Sequence, residues 1–204
     1  MIAAQNKSVA FIILLAGQGI TGEKILLMQS QLIGKANGAS KEELKVSNKL
    51  NKQIYTLLKE EQDTSILKQK IRTLSANEIN KQKASSKIPE KQLNDLVNKQ
   101  TTTLISPWFR YFLSYNPSDN LNKVTCPLSA LFGSKDLQVA PKENKKAIKK
   151  ALKKAHNKDY KIVIIPNLNH LFQECKTGSP AEYAQIEQTF SPIALKKISD
   201  WIKK

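Results

Sequence analysis

The 204-residue chain contains only two cysteines, two histidines and two arginines, and each scarcity excludes a class of protein. Cys126 and Cys175 lie far apart in the sequence and belong to no Cys-x-x-Cys pattern. Neither a disulfide-stapled scaffold nor a structural zinc site is therefore expected. We assign neither thiol a catalytic role, and we expect no metal and no cofactor.

Long apolar runs are also missing. The longest, Val9 to Ala16, is far shorter than the roughly 20 residues that a bilayer-spanning helix needs. Met1 is followed by no basic segment, and the run ends in Gly-Gln-Gly rather than in a small-residue cleavage site. We predict neither a membrane span nor an export signal on this chain, and no compartment is indicated.

Positive charge is abundant, with 33 lysines and arginines against 17 acidic residues, a formal charge of +16 and a pI near 9.8. Such a field attracts polyanions. Because only Arg72 and Arg110 are arginines, nearly all of this charge is carried by lysine, the weaker residue for bidentate readout of bases. Specific nucleic-acid recognition is not expected, and scattered surface lysines are the plainer interpretation.

Three short apolar runs predict buried β-strands: Val9 to Ala16, Leu128 to Phe132 and Ile162 to Ile165. Between the last two lies a helical pattern in which apolar residues share one face and lysines fill the other. A strand–helix–strand unit yields parallel strands, and continuous apolar runs indicate strands covered by helices on both faces. The predicted fold class is α/β.

Residues 22–105 differ in character, being lysine-rich and helical throughout. Ser40 to Glu43 and Ser75 to Glu78 both match the Ser-x-x-Glu capping box, and Pro89 marks a further helix start. We expect residues 22–105 to form a helical lid inserted into a core made of residues 1–21 and 106–204. Ser191 and Pro192 predict a C-terminal helix that covers the sheet.

Two chemically useful side chains follow neighbouring predicted strands. Asp136 comes after the second strand, in Gly-Ser-Lys-Asp, and His170 comes after the third. Ligands and catalytic groups gather at the carboxyl ends of parallel strands, and an imidazole supported by a carboxylate can act as a general base. Each residue alone also fits a structural role, the aspartate in a turn and the histidine as a hydrogen-bonded core residue.

The densest aromatic cluster spans Trp108 to Phe112. It predicts a helix that anchors the insertion, with the alternative that Trp108 and Phe109 form an apolar wall of a substrate pocket. Arg110, within this cluster, is expected in a structural ion pair, with contact to a substrate carboxylate as the alternative.

Several stretches now carry a resemblance: SPWFRYFLSYNP, CPLSALFGSKDLQVAPKEN, IPNLNHLFQECKTGSPAEYAQI and, near the start, VAFIILLAG. They resemble the C-terminal half of an α/β-hydrolase of the bacterial serine-aminopeptidase-like or dienelactone-hydrolase-like esterase group, over Ser106 to Lys204 and Met1 to Gly19. The resemblance implies that Asp136 is the acid and His170 the general base of a Ser-His-Asp triad. It implies an ester or amide substrate and no cofactor.

One departure from that family limits the expected activity. The nucleophile of the family lies in a Gly-x-Ser-x-Gly elbow, and this motif is absent from the chain. We expect the serine to lie in sequence missing from this chain, which alone would be inactive. The alternatives are a catalytically inactive remnant and a lysine-rich module that binds anionic partners. The missing half would leave the strand at Val9 to Ala16 with a bare edge, so self-association is expected.

Overall fold

The computed structural model describes residues 1–82 and 89–204; the side chains at 78–82, 90 and 93 lie outside that description. The chain forms two compact units. One, here called the sheet unit, comprises Met1–Ala39 and Asn116–Lys204, and the other, the helical unit, is Ser40–Tyr115. Helix Gly22–Ala36, which the sequence analysis placed in the insertion, is part of the sheet unit.

The elements follow one another in a mixed α/β order. In chain order they are α1 (Ile2–Gln5), β1 (Ile12–Leu15), α2 (Gly22–Ala36), α3 (Lys41–Glu60), α4 (Thr64–Gln82), α5 (Glu90–Leu104), α6 (Pro107–Ser114), α7 (Ser118–Leu121), β2 (Leu128–Gly133), α8 (Pro141–Lys154), β3 (Tyr160–Ile165), a 3-10 helix (Pro180–Gln185) and α9 (Pro192–Ile202). Helices α3 to α6 make up the helical unit, and the remaining elements belong to the sheet unit.

Within the described residues the sheet has three strands in the order β1-β2-β3, all parallel. Leu128 at the start of β2 lies opposite Ile12 on one side and Tyr160 on the other. The predicted α/β class is thereby confirmed as a small parallel sheet flanked by helices. The first strand is shorter than the predicted Val9 to Ala16, because pairing starts where Ile12 N–H donates to the carbonyl of Pro127 and ends at Ala16, whose φ is +49°.

Side chains alternate between the two faces of the sheet, and each face has its own core. On one face Leu128, Ala130 and Phe132 pack with Ile148 and Leu152 of α8. The other face has a second cluster that includes α9; its buried members are Ala16, Leu131, Ile165, Leu168, Phe172 and Ala194. Every residue of β2 is buried, as expected of a central strand covered on both faces.

The helical unit has its own buried side chains, among them Ile54 and Leu58 of α3 and Leu67 and Ile71 of α4. Helix α3 begins at the predicted capping box: Ser40 Oγ accepts from the Glu43 amide at 3.2 Å, and a Glu43 carboxylate oxygen accepts from the Ser40 amide at 2.7 Å. The second predicted capping box is wrong as a helix start.

Ser75, the first residue of that second box, lies inside α4, because the helix begins at Thr64 and runs on past it. Helix α5 begins directly after Pro89, as predicted. The ion pair expected of Arg110 is replaced by hydrogen bonds, from Nη2 to the carbonyl of Glu61 at 2.8 Å and to Gln62 Oε1 at 3.4 Å. Across residues 1–82 and 89–204, no helix combines the length and the apolar character that crossing a bilayer requires.

Candidate functional site

The loops that follow β2 and β3 are joined by hydrogen bonds at the carboxyl edge of the sheet. Ser134 N–H donates to the carbonyl of Ile165 at 2.8 Å, and Lys135 N–H donates to the carbonyl of Leu168 at 3.0 Å. In return, Ser134 Oγ accepts from the Asn167 amide at 2.9 Å. These contacts continue the β2–β3 pairing beyond the last paired residues, so the two loops are held in a defined register.

This register brings Asp136 and His170 together. His170 Nδ1 lies 2.9 Å from Asp136 Oδ2, while Asp136 Oδ1 accepts from the amides of Gln138 at 2.9 Å and Val139 at 2.8 Å. The Asp136 side chain is fully buried, which is tolerable for a carboxylate only because its oxygens are hydrogen-bonded. With Nδ1 directed at the carboxylate, Nε2 is the nitrogen left to exchange protons.

The His170 side chain keeps access to solvent on that free side. Its relative exposure is 28%, against 0% for Asp136. Within the part of the chain that the structure describes, no residue makes a hydrogen bond with Nε2. The pair therefore combines a buried, oriented carboxylate with a partly exposed imidazole. Proton transfer to and from a bound reactant requires this arrangement, because the imidazole must be accessible to the reactant.

Asn169 shapes the loop that carries His170. Its buried side chain accepts through Oδ1 from the amides of Leu171 at 2.9 Å and Gln173 at 3.0 Å, and Nδ2 donates to Gln173 Oε1 at 2.9 Å. The loop also contains left-handed residues, Asn167 at φ +62° and Phe172 at φ +60°. An internal polar network thus holds a tight loop that has no regular secondary structure of its own.

A second polar chain adjoins the acid. Gln138, whose main-chain amide donates to Asp136, also donates from Nε2 to Tyr183 Oη at 2.9 Å and accepts from Gln29 of α2 at 3.4 Å. Burial raises the pKa of the Tyr183 phenol, the Gln138 hydrogen bond opposes this, and the Asp136 charge adds to the rise. Sequence reasoning missed Tyr183, Gln138 and Gln29, because isolated polar residues carry no periodic signal.

The segment after the His170 loop is fastened to the Asp136 turn. Lys135 Nζ donates to the carbonyls of Cys175 and Lys176, each at 2.9 Å, and Gly178, at φ +82°, packs against the Lys135 carbonyl. Burial raises the pKa of the Cys175 thiol, an effect that the charge of Lys135 opposes. A raised pKa disfavours the thiolate, so this residue lacks the activation expected of a nucleophile.

The other predicted site residues belong to the helical unit. Trp108 and Phe109 are both on α6. Trp108 is 69% exposed, and its ring stacks on that of Phe112 with 5.4 Å between the ring centroids. The rings of Phe109 and Tyr55 have centroids 6.4 Å apart. Their role as a pocket wall stays a prediction. Among the residues that the structure describes, no group of three or more histidine, cysteine or carboxylate side chains is arranged to hold a metal.

No protein-family model matches the chain, and no curated protein matches it. Among solved structures it is similar to esterase E22, at 14% identity over 90% of this chain and 55% of that one, with a TM-score of 0.37. A mutant of the same esterase gives 14% identity, 91% and 54% coverage, and a TM-score of 0.35. The chain spans about half the length of these esterase chains.

Proposed function

We propose that the sheet unit is part of a serine hydrolase of the α/β-hydrolase type that acts on carboxylic esters or amides. In this proposal Asp136 is the acid and His170 the general base of the triad, and the serine comes from sequence outside these 204 residues. The observation that supports it is the 2.9 Å contact of His170 Nδ1 with the buried Asp136 carboxylate, at the carboxyl ends of adjacent parallel strands.

The proposed reaction uses both nitrogens of His170. As the serine oxygen bonds to the substrate carbonyl carbon, Nε2 accepts the serine proton, and the resulting imidazolium is stabilised through Nδ1 by Asp136. Nε2 then gives that proton to the leaving alcohol or amine as the original ester or amide bond breaks. Water repeats the sequence on the acyl-enzyme: its proton passes to Nε2 and then to the departing serine oxygen, which releases the acid.

The helical unit is proposed to act as the lid of this hydrolase, with Trp108 and Phe109 forming an apolar part of the acyl pocket. The support is chemical: α6 presents Trp108 and Tyr111 with most of their side-chain surface exposed, and such surface is available to an apolar group. Trp108→Ala would then change the preference for acyl chain length in a complete enzyme, while leaving stability nearly unchanged.

A second candidate is a remnant that keeps the fold without activity. It is favoured by one observation: the contact of His170 Nδ1 with Asp136 Oδ2 joins the loops that follow β2 and β3, which gives the pair a structural role that needs no serine. In this alternative the Asp136–His170 pair is a structural tie between two loops. Removing it would change stability, and restoring upstream sequence would yield no hydrolysis.

The test compares this chain with a longer form whose upstream sequence contains a Gly-x-Ser-x-Gly elbow, using p-nitrophenyl acetate as substrate. Hydrolysis by the longer form alone, lost in its His170→Ala variant, is the expected result. His156→Asn is the matched control, because His156 is exposed, with φ +54°, and asparagine tolerates that conformation. A longer form that folds and does not hydrolyse esters, or that keeps its activity without His170, contradicts the proposal.

A further inference from the structure

Helix α8 concentrates positive charge far beyond the average of the chain. Its 14 residues contain seven lysines and one glutamate, a net charge of +6, whereas the whole chain carries +16 over 204 residues. Helix α3, which is longer at 20 residues, has five lysines and three glutamates and a net charge of only +2. A general lysine bias in composition therefore does not account for α8.

The lysines of α8 form one continuous strip. At 3.6 residues per turn they cover about half of the helix circumference and a length of about 20 Å. Six of the seven are exposed and the other is half-buried; the set is Lys142, Lys145, Lys146, Lys149, Lys150, Lys153 and Lys154. In the described part of the chain none of these ammonium groups forms an ion pair.

The opposite face of α8 fixes the direction of this strip. Ile148, Ala151 and Leu152 are buried against the sheet, and the buried Asn144 accepts through Oδ1 from the Gly19 amide at 2.7 Å. The helix is thus anchored on its apolar face and cannot turn that face toward a partner. Any partner meets a preformed, convex array of ammonium groups.

We propose that the lysine strip of α8 is a docking surface for the surface of an anionic lipid bilayer, to which it adsorbs without insertion. Clusters of four to eight lysines on a helix are typical of binding to acidic lipid headgroups. Lysine suits this partner because its compact, hydrated ammonium group is attracted electrostatically to a layer of anionic headgroups. This attraction does not require a fixed contact geometry.

A nucleic acid fits the strip less well. Specific readout of a duplex needs side chains that hydrogen-bond base edges, and binding of single strands needs aromatic side chains on which bases stack. The exposed strip of α8 offers neither arginine nor an aromatic residue, and its one amide side chain, Asn144, is buried. Without groups that read or stack on bases, the strip is complementary in charge to a smooth anionic surface.

The experiment is co-sedimentation of the 204-residue chain with lipid vesicles, either of phosphatidylcholine alone or with added phosphatidylserine. We expect binding only to the anionic vesicles, weakening as salt is raised. The triple variant Lys146→Glu, Lys149→Glu, Lys150→Glu should lose at least about tenfold in partition coefficient. The neutral variant with glutamine at the same three positions keeps helix propensity and should lose binding in the same direction.

The matched control reverses three exposed lysines of α3: Lys41→Glu, Lys45→Glu, Lys49→Glu. This α3 variant changes the total charge by the same amount as the α8 variant. A loss of less than about threefold in its partition coefficient would therefore assign binding to α8 rather than to the overall charge. Equal losses in both triple variants, no binding to anionic vesicles, or tighter α8-dependent binding to a short DNA duplex would each overturn the proposal. The proposed hydrolase chemistry is independent of this outcome, since Asp136 and His170 are unchanged.

Discussion

Gly133 lies against the main chain of Leu168, so close that a Cβ on Gly133 would stand 2.2 Å from the Leu168 carbonyl oxygen and 2.6 Å from that of Asn169. Only glycine lets the end of β2 approach the loop that carries His170 in this way. The contact between Asp136 and His170 therefore depends on a residue that belongs to neither the acid nor the base.

Gly133→Ala should lower the free energy of unfolding by about 3 kcal/mol, because backbone rather than a flexible side chain blocks the added methyl group. Gly38→Ala is the matched control: its φ is +86°, but nothing lies within 4 Å of the added Cβ. We expect a cost there of about 1 kcal/mol, from conformation alone. Urea unfolding measures both, and equal losses would contradict the steric account.

Asp136→Asn should reverse the tautomer of His170. The carboxylate accepts from Nδ1–H, whereas an amide nitrogen at the same place can donate to Nδ1 and move the proton to Nε2. Nitrogen NMR of the imidazole detects this in the chain as it stands. Asp159→Asn, at an exposed aspartate, should leave the tautomer unchanged. In a complete enzyme Asp136→Asn should also lower kcat by about 10⁴-fold.

Asn169→Ala should cost about 3 kcal/mol of stability, because the buried amide of Gln173 and the part-buried amide of Leu171 lose their acceptor. Faster hydrogen exchange of those two amides would localise the effect to the His170 loop. Asn122→Ala, at a half-buried position of the same unit, should change stability by about 0.5 kcal/mol or less. Similar losses for both variants would show that Asn169 has no special role.

Glu182 should make the segment after the His170 loop sensitive to acid. The Thr177 hydroxyl is the main cause of its lowered pKa, and the amides of Thr177 and Gly178, at 2.8 and 3.2 Å, act in the same direction. A pKa below the ordinary 4.5 in the folded state means that ionised Glu182 adds stability above about pH 4.5, which is lost as the pH falls through the folded value.

Glu182→Gln should therefore flatten the acid side of the stability curve. Thermal midpoints measured from about pH 7 to about pH 3 check this, with the exposed Glu187→Gln as control. An acid dependence that is the same in parent and Glu182→Gln would assign the effect to other carboxylates.

The free edge of β1 should cause self-association. Within the described residues β1 pairs only with β2, and Phe11 and Leu15 beside that edge are 43% and 46% exposed. Leu15→Lys should favour the monomer in sedimentation velocity, because a charge at a strand edge opposes pairing. Leu195→Lys, which replaces a 54% exposed leucine on α9, is the control. A parent chain that is monomeric and melts cooperatively would contradict this prediction.

The central part of the sheet could be predicted from the sequence because β2 is buried on both faces, which makes it a continuous apolar run, and because β3 keeps an apolar run at Ile162 to Ile165. The rule that parallel strands share a carboxyl edge then places Asp136 near His170. The first strand was predicted too long, since apolar character at Val9 to Phe11 does not reveal where the partner strand begins.

What escaped prediction depends on single polar contacts. The amide of Asn169 and the pairing of Gln138 with Tyr183 involve residues that are isolated in the sequence, and their partners come close only after the loops have folded. Helix α2 was assigned to the insertion for a similar reason. Its single glutamate and two lysines fit the lysine-rich helical pattern that follows, while the hydrogen bonds that tie it to the rest of the sheet unit, such as Gln29 to Gln138, involve much later residues.

The order of the strands along the chain has a kinetic consequence. β2, α8 and β3 are contiguous, so they can assemble through local encounters, whereas β1 must wait until residues 16–127 have been looped out before it finds β2. Closing so long a loop costs entropy before any contact offsets it, and topologies of this kind fold slowly. During synthesis β1 leaves the ribosome before β2, so the edge that pairs with β2 stays unpaired until residues 16–127 have been made.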